Sequence, residues 1–219
     1  MIKISNRLKT IADLVLSSKS NKIIDVGCDH ALLDIYLLQN DNNLKIVASD
    51  NKELPLENAR KNIEKYSFLN KIEVCLKDGI NNLDKEIDTV VISGMGCETI
   101  IDILNNDKEE LNHINRLIIS SNNKYPQLRE EINKLGFIIN NEKIVYEDDK
   151  YYVIIEFTKG KKKYNKKELY FGPILLNNKD KLFKEYYGFI KSKKEEVIKQ
   201  VSKSDVLKEI KMIEKELNY

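Results

Sequence analysis

The chain has 219 residues, with 37 Lys and Arg against 35 Asp and Glu, 8 Gly, 3 Pro, 3 Cys, 2 His and no Trp. At 42% hydrophobic and 33% charged it can build one ordinary core plus an appendage, and its longest apolar runs, such as Thr89 to Ile92 and Tyr151 to Ile155, are strand-sized rather than membrane-sized. Cys28, Cys75 and Cys97 are far apart and never form a Cys-x-x-Cys pair, which argues against a disulfide framework or a zinc ribbon; the start Met1-Ile2-Lys3-Ile4-Ser5-Asn6-Arg7 has no apolar block of secretory length, so a cytoplasmic, membrane-free protein is expected.

In chain order, a first helix is expected from Ser5 as N-cap through Leu8, Ile11, Leu14 and Val15. Strand-like runs then recur at Lys22 to Val26, Lys45 to Ser49, Ile72 to Leu76, Thr89 to Ser93, Arg116 to Ser120, Phe137 to Val145 and Tyr151 to Thr158. Between the first five lie segments of helical period, such as Leu33, Leu37 and Leu38 or Ala59, Ile63 and Tyr66, and Leu128, Ile132 and Leu135 follow the fifth. This alternation predicts crossover helices on a mostly parallel, doubly wound sheet of seven strands. The polar turn Glu147-Asp148-Asp149-Lys150 leaves no room for a helix, so the last two strands should form an antiparallel hairpin at one edge. That element order is the α/β, Rossmann-like order of class I methyltransferases rather than of a simple dinucleotide-binding half.

After Lys161-Lys162-Lys163, read as a basic linker, and a turn at Gly172-Pro173, two helices are expected at about 178–201 and 205–217. Leu182, Phe189, Val197 and Val201 on one, and Val206, Ile210, Ile213 and Leu217 on the other, should form the seam of an antiparallel hairpin, with Ser202 to Ser204 as the turn and Ser204 or Asp205 as the cap. Domains are therefore expected at 1–160 and 161–219. Charge divides the same way: residues 1–160 hold 21 basic and 26 acidic side chains, net −5, and residues 161–219 hold 16 and 9, net +7. A basic tail on an acidic body fits an approach to phosphates, the alternative being a solvated lysine face in a Lys-rich proteome.

The residues that can carry chemistry cluster at strand ends. Asp25-Val26-Gly27-Cys28-Asp29-His30-Ala31 is a glycine turn running from the first strand into a helix, where open α/β sheets bind ligands. Asp29 and Ala31 stand where a dinucleotide fold needs its second and third glycines, and a carboxylate there would repel a pyrophosphate. S-adenosylmethionine has no phosphate and carries an ammonium and a sulfonium, which Asp25 and Asp29 would attract; Asp29 could instead only cap the helix. Asp50, beside Asn51, lies at the distance from Asp25 at which an acid accepts from a ribose diol, and Asp78-Gly79 can face an adenine edge, although either aspartate could be a turn residue. At Ser93-Gly94-Met95-Gly96 the chain lacks the acid or Asn followed by two prolines that grips an exocyclic amine in many amino-directed methyltransferases. The glycines allow close approach of a planar substrate, or form a βα turn with Met95 as core filler. His30 could be a base but more often makes a structural hydrogen bond, and Arg7, Arg129, Lys161, Lys162, Lys163, Lys193 and Lys194 are candidate phosphate contacts, or solvated charges.

Asp25-x-Gly-x-Asp29-His30-Ala31-x-Leu33, Pro55-Leu56-x-x-Ala59-x-x-Asn62, Asp78-Gly79, Ser93-Gly94-Met95-Gly96 and Tyr151-Tyr152-x-Ile154-Ile155 together resemble the bacterial tRNA (adenine(22)-N1)-methyltransferase family over residues 1 to about 158. The tail resembles that family's C-terminal coiled-coil domain. Asp34 departs from a usual proline, Cys97 from a second glycine, and Ser120-Ser121-Asn122 from a usual Gln-Pro-Asn. The resemblance implies methyl transfer from S-adenosylmethionine to N1 of an adenosine in the tRNA D-arm, leaving S-adenosylhomocysteine, with no metal and no obligate protein partner. It implies cofactor contacts from Asp25, Gly27, Cys28, Asp29, His30, Asp50, Asn51, Asp78, Gly79 and Ser93, and catalytic roles for Asp29, Ser93, Gly94 and Met95. Two other readings stay open: a methyltransferase of this fold acting on a small molecule or protein, with the helical hairpin dimerising, and a noncatalytic RNA-binding protein.

Overall fold

A computed structural model describes residues 1–18, 20, 22–198 and 204–218. Seven strands, β1 (Lys22–Val26), β2 (Lys45–Asp50), β3 (Ile72–Leu76), β4 (Ile87–Met95), β5 (Arg116–Ser121), β6 (Phe137–Glu147) and β7 (Lys150–Lys159), form one sheet in the order β3-β2-β1-β4-β5-β7-β6. The first five pair in parallel, and β7 runs antiparallel to β5 and β6. The hairpin turn is Asp148-Asp149, both left-handed at φ 49° and 58°, the backbone that two-residue hairpin loops require. Strands overrun the apolar runs by one or two residues, as at Gly94-Met95, because ladder hydrogen bonds continue where side chains turn polar.

Helices α1 (Asn6–Leu16), α2 (Leu32–Asn40), α3 (Glu53–Lys65), α4 (Cys97–Asn106) and α5 (Tyr125–Lys134) cover the sheet. The start of α1 is held twice: the Ser5 hydroxyl accepts the Leu8 N–H at 3.2 Å, and Glu147, at the hairpin tip, accepts those of Asn6 and Arg7 at 2.6 and 3.3 Å. Its apolar face, Ile11, Ala12, Leu14 and Val15, joins one buried cluster with Ile23, Val91, Ile118 and Ile154 of the sheet. At the other end of α1, Arg116 donates to the Leu14 carbonyl at 2.7 Å and to Glu156 at 2.6 Å.

The chain divides into two compact units, Met1–Ile174 and Leu175–Tyr219, so the break falls after Ile174 rather than at residue 160. Between the basic linker Lys161-Lys162-Lys163 and Gly172 lies α6 (Lys166–Phe171), opened by a reciprocal Asn165–Glu168 capping box and packed on α5. It is followed by α7 (Pro173–Asn178). Both helices are too short to show a periodic stripe, which is why the sequence pattern missed them.

Arg129 makes the first unit extend this far, and its burial corrects the reading of this residue as a phosphate contact. The side chain is fully buried, donates to Glu142 at 2.7 Å, and reaches the α6 carbonyls of Leu169 and Tyr170 at 3.0 and 3.3 Å. Glu142 also accepts the Ile174 N–H at 3.0 Å, and a Cβ on Gly172 would strike its carboxylate.

In the second unit, α8 (Lys181–Ile198) and α9 (Ser204–Leu217) pack together. Asp180 caps α8 by accepting the Phe183 N–H at 2.8 Å. On α9 the predicted Ile210 and Ile213 are buried, but α8 buries Phe183, Tyr186 and Tyr187, while Phe189 and Val197 are 46% and 50% exposed. Tyr186 and Tyr187 are amphipathic, so helical spacing alone does not mark theirs as the buried face. Lys191–Glu214 at 3.1 Å and Lys194–Glu209 at 2.6 Å cross between the two helices. Val201, the Ser202 to Ser204 turn and the Ser204 side chain as cap lie outside what is described. Among the described residues no helix is long and apolar enough to cross a membrane.

Arg129→Ala would leave the Glu142 carboxylate buried without its cation, which should cost about 3–5 kcal/mol. Denaturant unfolding of the full chain checks this, and a loss under about 1 kcal/mol would contradict a structural role for the pair.

Candidate active site

The strand order reverses between β1 and β4, and the carboxyl ends of β1 to β4 open there into a cleft of about 520 Å³. Asp25, Gly27, Cys28, Asp29, His30, Asp50, Asn51, Asp78, Gly79, Ser93, Gly94 and Met95 all line it, and so does Arg7 from α1. The remaining wall includes Leu33 and Pro55 of the sequence motifs, and Lys52, Lys77, Thr99 and Ile103, which no sequence signal singled out.

The turn after β1 is built from left-handed residues: Gly27, Asp29 and Ala31 have φ 77°, 51° and 54°. The Gly27 and Cys28 N–H groups donate to the Ser49 carbonyl at 2.8 and 3.0 Å, which fixes the turn against β2. A Cβ at Gly27 would collide with Met95 Cε, so glycine is required where the two loops meet. At the third strand end Gly79, φ 80°, leaves room for Asp107, whose Oδ2 accepts the Ile80 N–H at 3.1 Å. Asp107 was not singled out in sequence, since it lies far along the chain from the turn it holds.

Four acids, Asp25, Asp29, Asp50 and Asp78, line the cleft together with the cations Arg7, Lys52 and Lys77. Asp25 is 5% exposed, and among the described residues no hydrogen bond or ion pair reaches its carboxylate. Burial, and then the negative charge of Asp50, push its carboxyl up to about 7. Behind the cleft wall, in the first turn of α2, Asp34 is fully buried with both carboxylate oxygens unpartnered. Burial and then Asp25 raise it well above the usual carboxylate range, so Asp34 holds its proton. Burial and then the surrounding carboxylates, Asp25 first, also push the Cys28 thiol up, which makes it inert as a nucleophile. Asp50 accepts the Lys52 N–H at 3.0 Å, and Asn51 reaches Asp78 at 3.4 Å.

This donor set fits S-adenosylmethionine. A bare, buried carboxylate at Asp25 suits an ammonium, and Asp50 suits a diol. Among the described residues no group of three or more His, Cys, Asp or Glu side chains is arranged to hold a metal ion. His30 lies at the surface, with Nε2 3.6 Å from Asp29 and its carbonyl accepting from Asn62 at 2.9 Å.

On the acceptor side, the Arg7 guanidinium lies over the Tyr152 ring at 4.9 Å, and a Cβ at Gly94 would be 3.8 Å from its Nη1. Arg7 is thus brought into the cleft wall rather than onto a general surface. Lys161, Lys162 and Lys163 are exposed; Lys193 is exposed but pairs with Glu196 at 3.3 Å, and Lys194 pairs with Glu209 at 2.6 Å.

The model of the family "tRNA (adenine(22)-N(1))-methyltransferase" matches residues 23–219. The Bacillus subtilis tRNA (adenine(22)-N(1))-methyltransferase is 31% identical over 155 residues, 70% of this chain and 64% of that one. The structure of Mycoplasma capricolum TrmK with S-adenosylhomocysteine superposes with a TM-score of 0.85 at 32% identity, over 98% of both chains. That of Streptococcus pneumoniae Sp1610 with S-adenosyl-L-methionine gives 0.91 at 29% identity, covering 98% of this chain and 100% of that one.

Asp25→Asn tests the unpaired carboxylate. Its folded value of about 7 exceeds the unfolded value of about 4, so its ionised form costs stability progressively as pH rises through that window. The variant should melt several degrees higher than the parent at pH 8 without ligand, with the gain vanishing toward pH 4. It should also bind S-adenosylmethionine about tenfold or more weakly, since a charge-assisted hydrogen bond is lost. Lower melting at pH 8 or unchanged binding would contradict this account.

Proposed function

The chain belongs to the tRNA (adenine(22)-N(1))-methyltransferase family, and from that membership we propose how its residues carry methyl transfer from S-adenosylmethionine to N1 of adenosine 22 in the D-arm of tRNA. The observation that carries the reading is the acid-lined cleft at the strand ends, whose buried Asp25 carboxylate lacks a cation. When bound there, the cofactor supplies an electrophilic sulfonium methyl.

The residues do the rest by holding and by field. Asp25 takes the amino-acid end, Asp50 with Asn51 the ribose, and Asp78 with Gly79 the adenine edge. Neutral adenine N1 has a free lone pair, so no side chain has to remove a proton from it. That agrees with a cleft whose one histidine, His30, lies at its mouth. Catalysis then rests on near-attack geometry: Gly94 offers no side chain to block the purine, Met95 and Ser93 shape the floor, and Asp29 steadies the cation that develops on the base.

N1 lies on the pairing edge of the base, so the enzyme must open or flip the target nucleotide. Arg7 stands at the acceptor side to meet it. Lys161, Lys162, Lys163 and Lys193 grip phosphates, and the part of the chain from residue 161 onward serves as the tRNA-holding region. Lys161 to Lys167 set five lysines before the single acid Glu168, so this segment carries much of the tail's positive charge. Such an enzyme works in the cytoplasm, where its substrate is.

Replacing Lys161, Lys162 and Lys163 together by Glu should raise KM for tRNA at least about tenfold and flatten its salt dependence, while kcat and S-adenosylmethionine affinity stay near the parent values. Steady-state methylation of a tRNA transcript at several salt concentrations measures this; an unchanged KM would remove the lysines from the interface.

A further inference from the structure

The segment that closes the acceptor side of the cleft, Ser93-Gly94-Met95-Gly96, carries no side-chain amide or acid with which to hold an exocyclic amine. The fold brings one from the neighbouring strand. Asn122, just past β5, donates its backbone N–H to the Met95 carbonyl at 2.9 Å and its Nδ2 to the Gly94 carbonyl at 2.7 Å. A carbonyl accepts only from a donor, so the amide nitrogen must be the end facing Gly94. The Oδ1 of Asn122 is then left as an acceptor with no partner among the described residues, on an exposed side chain one hydrogen bond from the cleft wall.

The side chains of Asn123, Ser121 and Tyr125 beside it are already committed. Asn123 accepts the Cys97 N–H at 3.1 Å with its Oδ1 and so anchors the start of α4. The Ser121 hydroxyl donates to the Asn123 carbonyl at 2.9 Å. The Tyr125 hydroxyl donates to the Ser121 carbonyl at 2.7 Å and accepts the Val153 N–H at 3.1 Å. The Ser93 hydroxyl, on the cleft wall, is buried and has no hydrogen-bond partner among the described residues, but a hydroxyl there can donate as well as accept and so does not by itself discriminate an amine from a carbonyl.

We propose that Asn122 reads the acceptor base, its Oδ1 accepting a hydrogen bond from the exocyclic amine of adenine while N1 faces Gly94. This rests on the reading of the protein as an adenine-N1 methyltransferase. Adenine presents a donor, its amine, beside the N1 lone pair. Guanine presents a carbonyl oxygen beside an N1 that carries a proton, and would set oxygen against oxygen. In the transfer the N1 lone pair forms the C–N bond as the methyl C–S bond breaks, its electron pair staying on sulfur. The positive charge passes to the purine, no proton leaves N1, and delocalisation into the amine strengthens the hydrogen bond to Oδ1. Asn122 thus selects the base and favours the charged product-like state.

The test is a functional-group cycle on the full chain, using tRNA with either adenosine or purine riboside, which lacks the amine, at the target position. The parent enzyme should lose about tenfold or more in kcat/KM when the amine is removed. Asn122→Ala should lose a similar factor on adenosine and nothing further on purine riboside, with S-adenosylmethionine affinity and melting temperature unchanged.

A parent enzyme indifferent to the amine overturns the proposal without recourse to any variant, and so does an Asn122→Ala enzyme as sensitive to the amine as the parent. If the parent methylates neither tRNA at N1, the functional reading itself fails and takes this proposal with it; activity on adenosine without the predicted cycle defeats Asn122 alone.

Discussion

Asp25, Asp34 and Asp50 crowd the carboxyl ends of β1 and β2 and the first turn of α2, and no cationic side chain among the described residues pairs with Asp25 or Asp34. Buried carboxylates in that state have two ways to lower their energy: hold a proton or meet a cation. Asp34, sealed behind the wall, takes the first course. Asp25, which opens on the cleft, can take the second, and this turns an unfavourable burial into affinity for a positively charged ligand. A phosphate-bearing dinucleotide would meet the same field with the opposite sign, so the acids select the cofactor class as much as they bind it.

The rest of the fold keeps that field in place. The turn from Gly27 to Ala31 is tied to β2 through Ser49 and packs at Gly27 against Met95, so the loop after β1 sits directly on the end of β4. Helix α1 carries Arg7 to the acceptor side because Glu147 at the hairpin tip holds its first turn and Arg116 its last. The edge hairpin, remote from the cofactor end of the cleft, thereby positions the wall that an incoming base must pass. The Arg129–Glu142 pair secures α6 to the same body, and the positive charge of residues 161–167 belongs to the catalytic unit rather than to α8 and α9.

Much of this was legible in the sequence because strand-end acids and glycines are local signals. Asp25, Gly27, Asp50, Asp78 and Gly94 each follow an apolar run, and the topology then gathers them into one cleft. Pairings across distant segments were not legible. Arg129 looks like a surface arginine of a polar helix until Glu142 and the α6 carbonyls surround it, and nothing in its own neighbourhood announces them. Asp107 acts through a backbone group of another loop, which leaves no pattern, while Asn122 is marked in sequence only as the matching residue of Ser120-Ser121-Asn122, without the Gly94 carbonyl it bonds. Phe189 and Val197 fit a helical stripe as well as Phe183, Tyr186 and Tyr187 do, and periodicity cannot choose between two faces when tyrosines line one of them.

The central claim, that Asp25 exchanges a proton for a cationic ligand, is tested most directly by the affinity for S-adenosylmethionine between pH 5.5 and 7, where the ligand's own ammonium stays charged. The ligand binds the ionised carboxylate, and that form is scarce below its value of about 7 in the free protein. Calorimetry should therefore show affinity rising about tenfold across this range, with a proton released on binding at the acid end. The rise should persist in a His30→Asn variant, which removes the histidine of the cleft. An affinity that is flat or falls with pH, with no proton released, would contradict the account.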